Sequence, residues 1–150
     1  MELREAEIRI GDEIRFALIK VTGRTYPTRK DYWDGNWLNA EVRVSVGGFR
    51  AQVEGNLRAE EFVRFREELA SLYDNLSGTA SFKTMEEWLS VEISGDGRGH
   101  MIAECVAMDR PGWGNSLHFW LGFDQTYMPD MLEQLDKIIE LFPIVGERPS

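Results

Sequence analysis

Hydrophobic and polar positions alternate with a period of two along most of this chain and switch twice to a period near 3.6. The first signature marks half-buried strands and the second amphipathic helices. Ala6, Ile8 and Ile10 alternate with charged neighbours, and Ile14, Phe16 and Leu18 do the same after Gly11-Asp12-Glu13. A three-residue loop would set Ile10 against Ile14 and Ile8 against Phe16, with both apolar sets on one face. Leu38, Ala40, Val42, Val44 and Val46 then alternate up to Gly47-Gly48, and Phe49, Ala51 and Val53 resume the pattern. This predicts a hairpin in which Val46 faces Phe49, Val44 faces Ala51 and Val42 faces Val53. Glu41 then faces Glu54, a repulsion that a diagonal contact of Glu54 with Arg43 would soften.

Phe62, Phe65, Leu69, Leu72 and Leu76 form one helical stripe, with a Glu60–Arg64 pair in the favoured i,i+4 order and Ser77-Gly78 as the stop. A second block of strands covers Ala80 to Thr84, then Leu89, Val91 and Ile93, then His100 to Met108. Leu117, Phe119, Leu121 and Phe123 make the last strand. Met131, Leu132, Leu135, Ile138, Ile139 and Phe142 repeat at helical spacing, with Thr126 as the expected N-cap, Pro129 in the first turn and Pro143 as the end. Strands, helix, strands, helix, joined mostly by hairpin links, predict an α+β fold. Its expected core is a largely antiparallel β-sheet of about seven to nine strands with both helices packed on it. The two halves share this order without a residue-level repeat.

Length narrows the picture to one domain, 1–150, with 143–150 as a C-terminal tail. Seventeen Lys and Arg against 26 Asp and Glu leave a formal net charge of −9. Such a charge repels a phosphate backbone, which argues against direct nucleic-acid binding and favours a basic protein partner. The amino-terminal Met1 to Glu5 lacks the basic start and apolar run of a signal peptide, and no apolar run is long enough for a bilayer. A cytoplasmic protein without membrane contact is therefore expected. Cys105 is the only cysteine, so neither an internal disulfide nor a thiol-rich zinc site is available.

Candidate chemistry is sparse. His100 and His118 lack metal-ligand spacing and read as solvated strand residues. Cys105 has acidic and apolar neighbours, which suits a small core residue better than a nucleophile. Gly95-Asp96-Gly97-Arg98-Gly99 feeds a strand instead of a helix N-terminus, so it reads as a hairpin turn and not a phosphate cradle. Asp31, Asp34, Asp96, Asp109 and Asp124 read as solvated turn residues. No catalytic residue, metal site or cofactor is predicted. The unusual segment is Tyr32-Trp33-Asp34-Gly35-Asn36-Trp37, where aromatics interleave with Asp and Asn. A turn with Trp37 in the core accounts for it structurally. Exposed Tyr32 and Trp33 would also serve as interface anchors, as would Trp113 in the Pro-Gly loop.

Tyr32-Trp33-Asp34-Gly35-Asn36-Trp37-Leu38, Gly47-Gly48-Phe49, Gly95 to His100, Asp109-Arg110-Pro111-Gly112 with Gly114-Asn115, and Phe123 to Tyr127 together resemble the WapI-like immunity proteins of bacteria. The resemblance runs from about Tyr32 to Phe142. It implies a cytosolic, non-catalytic antitoxin that binds the toxic C-terminal domain of a polymorphic toxin, in some cases a nuclease acting on tRNA. These motifs are turns and strand or helix starts, so they carry kinship and no catalytic residue. The expected partner-binding residues are Tyr32, Trp33, Asp34, Asn36, Asp96, Arg98 and Trp113, with Glu41, Glu54 and Glu92 adding electrostatic steering. The rival expectation is a small ligand-binding domain or enzyme with a pocket between sheet and helices, near His100 or His118.

Overall fold

The computed structural model describes residues 4–149; the first three residues, on which the leader reading partly rests, lie outside that range. Among the described residues eight strands form two four-stranded antiparallel sheets. The first joins β1 (Ala6–Gly11), β2 (Phe16–Arg24), β3 (Trp37–Val46) and β4 (Phe49–Arg58) in that order. The second joins β5 (Ser77–Lys83), β6 (Leu89–Asp96), β7 (His100–Met108) and β8 (Ser116–Asp124). A single-turn helix, α1 (Tyr32–Gly35), precedes β3; α2 (Ala59–Asn75) follows the first sheet and α3 (Met128–Leu141) follows the second. The expected α+β class and element order hold, with the strands divided between two sheets.

Each helix lies chiefly against the first strand of the other half: α2 against β5, and α3 against β1, with α2 and α3 also in contact. The inward residues of both sheets and the buried stripes of both helices share one hydrophobic cluster. Phe82 of β5 meets Phe62 and Phe65 of α2 at ring separations of 5.2 and 5.5 Å. Arg66 of α2 reaches Asp136 of α3 at 2.9 Å on the exposed side. Neither half could bury its own sheet without the other.

The β3–β4 hairpin has the register that the glycine pair and alternation predict, Val46 to Phe49 through Val42 to Val53, and Glu41 does face Glu54. Arg43, however, pairs with Glu41 of its own strand and not with Glu54. The first hairpin needs a larger correction: Ile10 pairs with Ala17 and Ile8 with Ile19. The connection is longer than expected because Asp12 accepts from the backbone N–H groups of both Ile14 and Arg15 at 2.8 Å, which closes a four-residue turn. Ala17, Ile19 and Val21 therefore face the core, Phe16 and Leu18 face outward, and Ile14 is left 78% exposed at the tip.

Helix ends differ from expectation in three places. Leu76, not Ser77-Gly78, ends α2 by taking the left-handed conformation at φ 60°, and Ser77 already belongs to β5. Glu60 pairs with Arg58 instead of Arg64. Before α3 the capping carboxylate is Asp124, which accepts from Thr126 N–H at 3.1 Å and starts a short 3-10 turn, so Thr126 is not the cap. Pro129 sits in the first turn of α3 as expected.

Glu61 ties the junction of the halves together. Its carboxylate accepts from Arg58 N–H at 2.6 Å, the return half of a capping box, and from Met85 N–H at 2.5 Å in the β5–β6 turn. Burial of the carboxylate raises its pKa to about 7, against the opposing pull of those two backbone donors. In this range the native state holds a proton that the unfolded chain has released. The contribution of Glu61 to stability is thus fully present below about pH 4.5 and is lost as pH rises through 7. Urea unfolding of the wild type and Glu61→Gln should accordingly diverge by roughly 1–3 kcal/mol between pH 4.5 and 7.5, with the wild type losing relative stability. Parallel curves across that window would contradict the assignment.

Candidate functional site

The aromatic segment has a structural centre that lies outside it in sequence. Arg58, at the end of β4, is 1% exposed, and its guanidinium lies 5.4, 5.4 and 4.8 Å from the ring centres of Tyr32, Trp33 and Trp37. It donates to the backbone carbonyls of Trp33 at 2.8 Å and Tyr32 at 2.9 Å, and its Nε pairs with Glu60. A buried guanidinium is tolerable only with this density of partners, namely two helix-end carbonyls, one carboxylate and three π faces. Asp31 caps α1 by accepting from Asp34 N–H at 3.0 Å, which holds its carboxyl below the usual carboxylate range.

Asn36 is fully buried. Its amide donates to the carbonyls of Tyr32 and Val145, both at 2.9 Å, and its Oδ1 accepts from Val145 N–H at 2.9 Å. The segment that starts at 143 is thereby bound to α1, and Arg24 adds a bond to the Pro143 carbonyl. Asn36 can influence a contact only by fixing α1. Tyr32 and Asp34 are half-buried, the latter in an ion pair with Arg29, while Trp33 presents 46% of its surface.

The other expected contact residues lie elsewhere. Asp96 and Arg98 occupy the β6–β7 turn, where Asp96 accepts from Arg98 N–H at 2.7 Å and His100 N–H at 3.1 Å. Trp113 sits in the β7–β8 turn, 75% exposed, with Arg110 stacked 4.9 Å from its ring centre. The nine residues of β7 separate these two turns by roughly 27 Å. The seven residues thus fall into three places: α1, and the two ends of the second sheet.

The aspartates at turns behave as expected. Backbone donors hold Asp96 and Asp124 below the usual carboxylate range, and both the side chain and the backbone of Asn115 do the same for Asp109. Cys105 is buried on the inner face of β7, and burial pushes its thiol up to about 12, far from a reactive thiolate. His118 is exposed, 3.0 Å from Glu104 Oε1 and stacked 4.4 Å from the Trp120 ring. A polar cavity of about 390 Å³ lies over Asn39, Glu41, Glu54 and Asn56, and an apolar one of about 170 Å³ between β4 and the β7–β8 end. Neither is lined by His100 or His118. Among the described residues no cluster of three His, Cys, Asp or Glu could hold a metal ion, and no helix is long and apolar enough to cross a membrane.

On the outer face of the second sheet, sequence reasoning named Glu92 alone, for steering, and missed Glu104, Ile102 and Trp120. The exposed Ile102 (51%) and Trp120 (52%) occupy the outward phase of strands whose inward residues are already apolar. That surplus of apolar character in the polar phase was the available signal.

Comparison with known proteins adds kinship. The family model described as the immunity protein WapI-like family matches residues 8–143. The chain is therefore a member of the WapI-like immunity protein family. No curated protein matches it. Among solved structures, one of Trypanosoma bruciei MRP1/MRP2 is similar at 12% identity and a TM-score of 0.48, covering 93% of this chain and 86% of that one. The siderocalin Ex-FABP gives 8% identity and a TM-score of 0.27, with 99% and 95% covered. Neither likeness bears on function.

The Arg58 cage gives a direct test of how α1 is held. Arg58→Lys keeps the charge but loses the planar fork that serves two carbonyls and a carboxylate. We expect a loss of about 2–4 kcal/mol in unfolding free energy together with altered tryptophan fluorescence at Trp33 and Trp37. A variant as stable as the wild type, with an unchanged spectrum, would show that the cage does not hold α1.

Proposed function

We propose that this chain is a non-catalytic immunity protein that works in the cytoplasm by binding the toxic C-terminal domain of a bacterial polymorphic toxin in a stoichiometric complex. Membership of the WapI-like immunity family is the observation that carries this reading. The physical features agree with it. A net charge of −9 favours encounter with a basic surface, as on a nuclease domain that must grip a phosphate backbone. Exposed Trp33 and Trp113 are anchors of the type that dominates interface energetics. Tyr32, Asp34, Asp96 and Arg98 are the further proposed contacts, with Asn36 supporting α1 from beneath.

The test is co-expression with the toxin tail encoded beside this chain, followed by binding of the two purified proteins. Protection of the host and a 1:1 complex are expected. Because opposite potentials accelerate the encounter, the association rate should fall roughly tenfold or more as salt is raised from about 0.01 to 0.5 M, while dissociation changes less. Absence of both protection and binding would refute the reading. A rate indifferent to salt would remove the electrostatic part of it.

A further inference from the structure

We propose that the outer face of β6–β8 is the surface on which a basic toxin domain docks, with a partner arginine seated against Glu92, Glu104 and the Trp120 ring. This rests on the reading given under Proposed function and adds the place of contact. The strand register sets the geometry. Glu92 of β6 stands directly opposite Glu104 of β7, which stands opposite Trp120 of β8, so two carboxylates and an indole form one row across the sheet. Ile102 borders this row on one side, and Val106 with His118 on the other.

Two like charges directly opposed on neighbouring strands destabilise a sheet unless something compensates them. The first sheet also opposes Glu41 to Glu54, but there Arg43 pairs with Glu41. On β6, β7 and β8 no outward residue is Lys or Arg. Lys83 stands one row away on β5, and among the described residues Glu92 has no ion pair. Arg15 approaches from the first hairpin, yet it donates to the Trp120 carbonyl at the sheet edge, at 3.3 Å. Glu104 has only the ring of His118. The row therefore carries a compensation that only a cation from outside would complete, beside an exposed indole suited to a guanidinium face.

Gly122 adds an independent sign. It stands opposite Ile102 on the same face, its φ lies outside the left-handed region, and a Cβ placed there would meet only the His100 ring, at ordinary contact distances of 3.8 Å, and the Met101 carbonyl at 4.0 Å. The fold does not require a glycine here. Its effect is to leave the strand backbone bare beside Trp120, open to a partner side chain. The face repels a second copy of this chain and any phosphate backbone by the same charges that would draw a basic protein.

The experiment measures binding of the toxin domain encoded beside this chain to the wild type, to Glu92→Gln/Glu104→Gln, to Trp120→Ala and to Gly122→Leu, with Tyr73→Ala, an exposed aromatic on α2, as the comparison. The double Gln variant relieves repulsion, so its melting temperature should equal or exceed that of the wild type while its affinity falls at least about tenfold. Trp120→Ala and Gly122→Leu should weaken binding to a similar degree, and Tyr73→Ala much less. A second arm titrates a hexa-arginine peptide and follows the Trp120 indole and the amides of Ile102 and Gly122 by NMR, with a hexaglutamate peptide as control. Toxin binding that all three face variants leave intact overturns the proposal and leaves the immunity reading standing. A toxin that does not bind at all, with hexa-arginine shifts confined to this face and lost in the double variant, sustains the arginine site and refutes the immunity reading. Shifts spread over the whole surface without toxin binding, or a dimer formed through this face, overturn the proposal.

Discussion

The structure depends on a shared core that neither half can close alone. Each four-stranded sheet has one apolar face, and the helix that follows it in sequence packs mainly on the first strand of the other half. The exchange places α2 on β5 and α3 on β1, so the inner sides of both sheets are consumed by the same cluster. What remains for function is the outside: the outward rows of the strands, the hairpin turns and α1. Glu61, buried at the point where β4 becomes α2 and bonded to the β5–β6 turn, is the polar counterpart of this interlock.

This distribution accounts for why the chain presents so little chemistry. Its single thiol faces the core, and its turn aspartates are occupied by backbone donors. Its most conspicuous aromatic segment is assembled around a buried guanidinium. A surface with a strong negative field and a few exposed aromatics suits recognition by contact, in keeping with the immunity family.

Much of the fold was legible wherever a turn signal fixed the register. Gly47-Gly48 determined the β3–β4 hairpin down to the opposed Glu41 and Glu54. The first hairpin misled because the apolar Ile14 continues the alternation, while the Asp12 side chain gives its bonds to a longer turn and drops Ile14 into solvent. Leu76 ended α2 in a conformation that propensity assigns to glycine, so Ser77-Gly78 looked like the stop. The division of eight strands into two sheets was beyond periodicity, which reports faces and not which strands pair.

The candidate site was legible in part. The family motifs pointed to the right kin, and Trp33 and Trp113 are exposed as a contact would need. The purpose of Tyr32 to Trp37 was hidden because its partner, Arg58, is 21 residues beyond Trp37 and looks in sequence like any strand-end arginine. Trp120 lies in the outward phase beside His118, and it passed unnoticed because the inward alternation of Leu117, Phe119, Leu121 and Phe123 accounts for the strand without it. The most direct test of contact without chemistry is titration of the toxin domain's activity with purified protein. A linear fall to an endpoint at one equivalent, restored when the complex is dissociated, is the result expected; complete and lasting neutralisation at a small fraction of an equivalent would mean turnover, and would contradict the account.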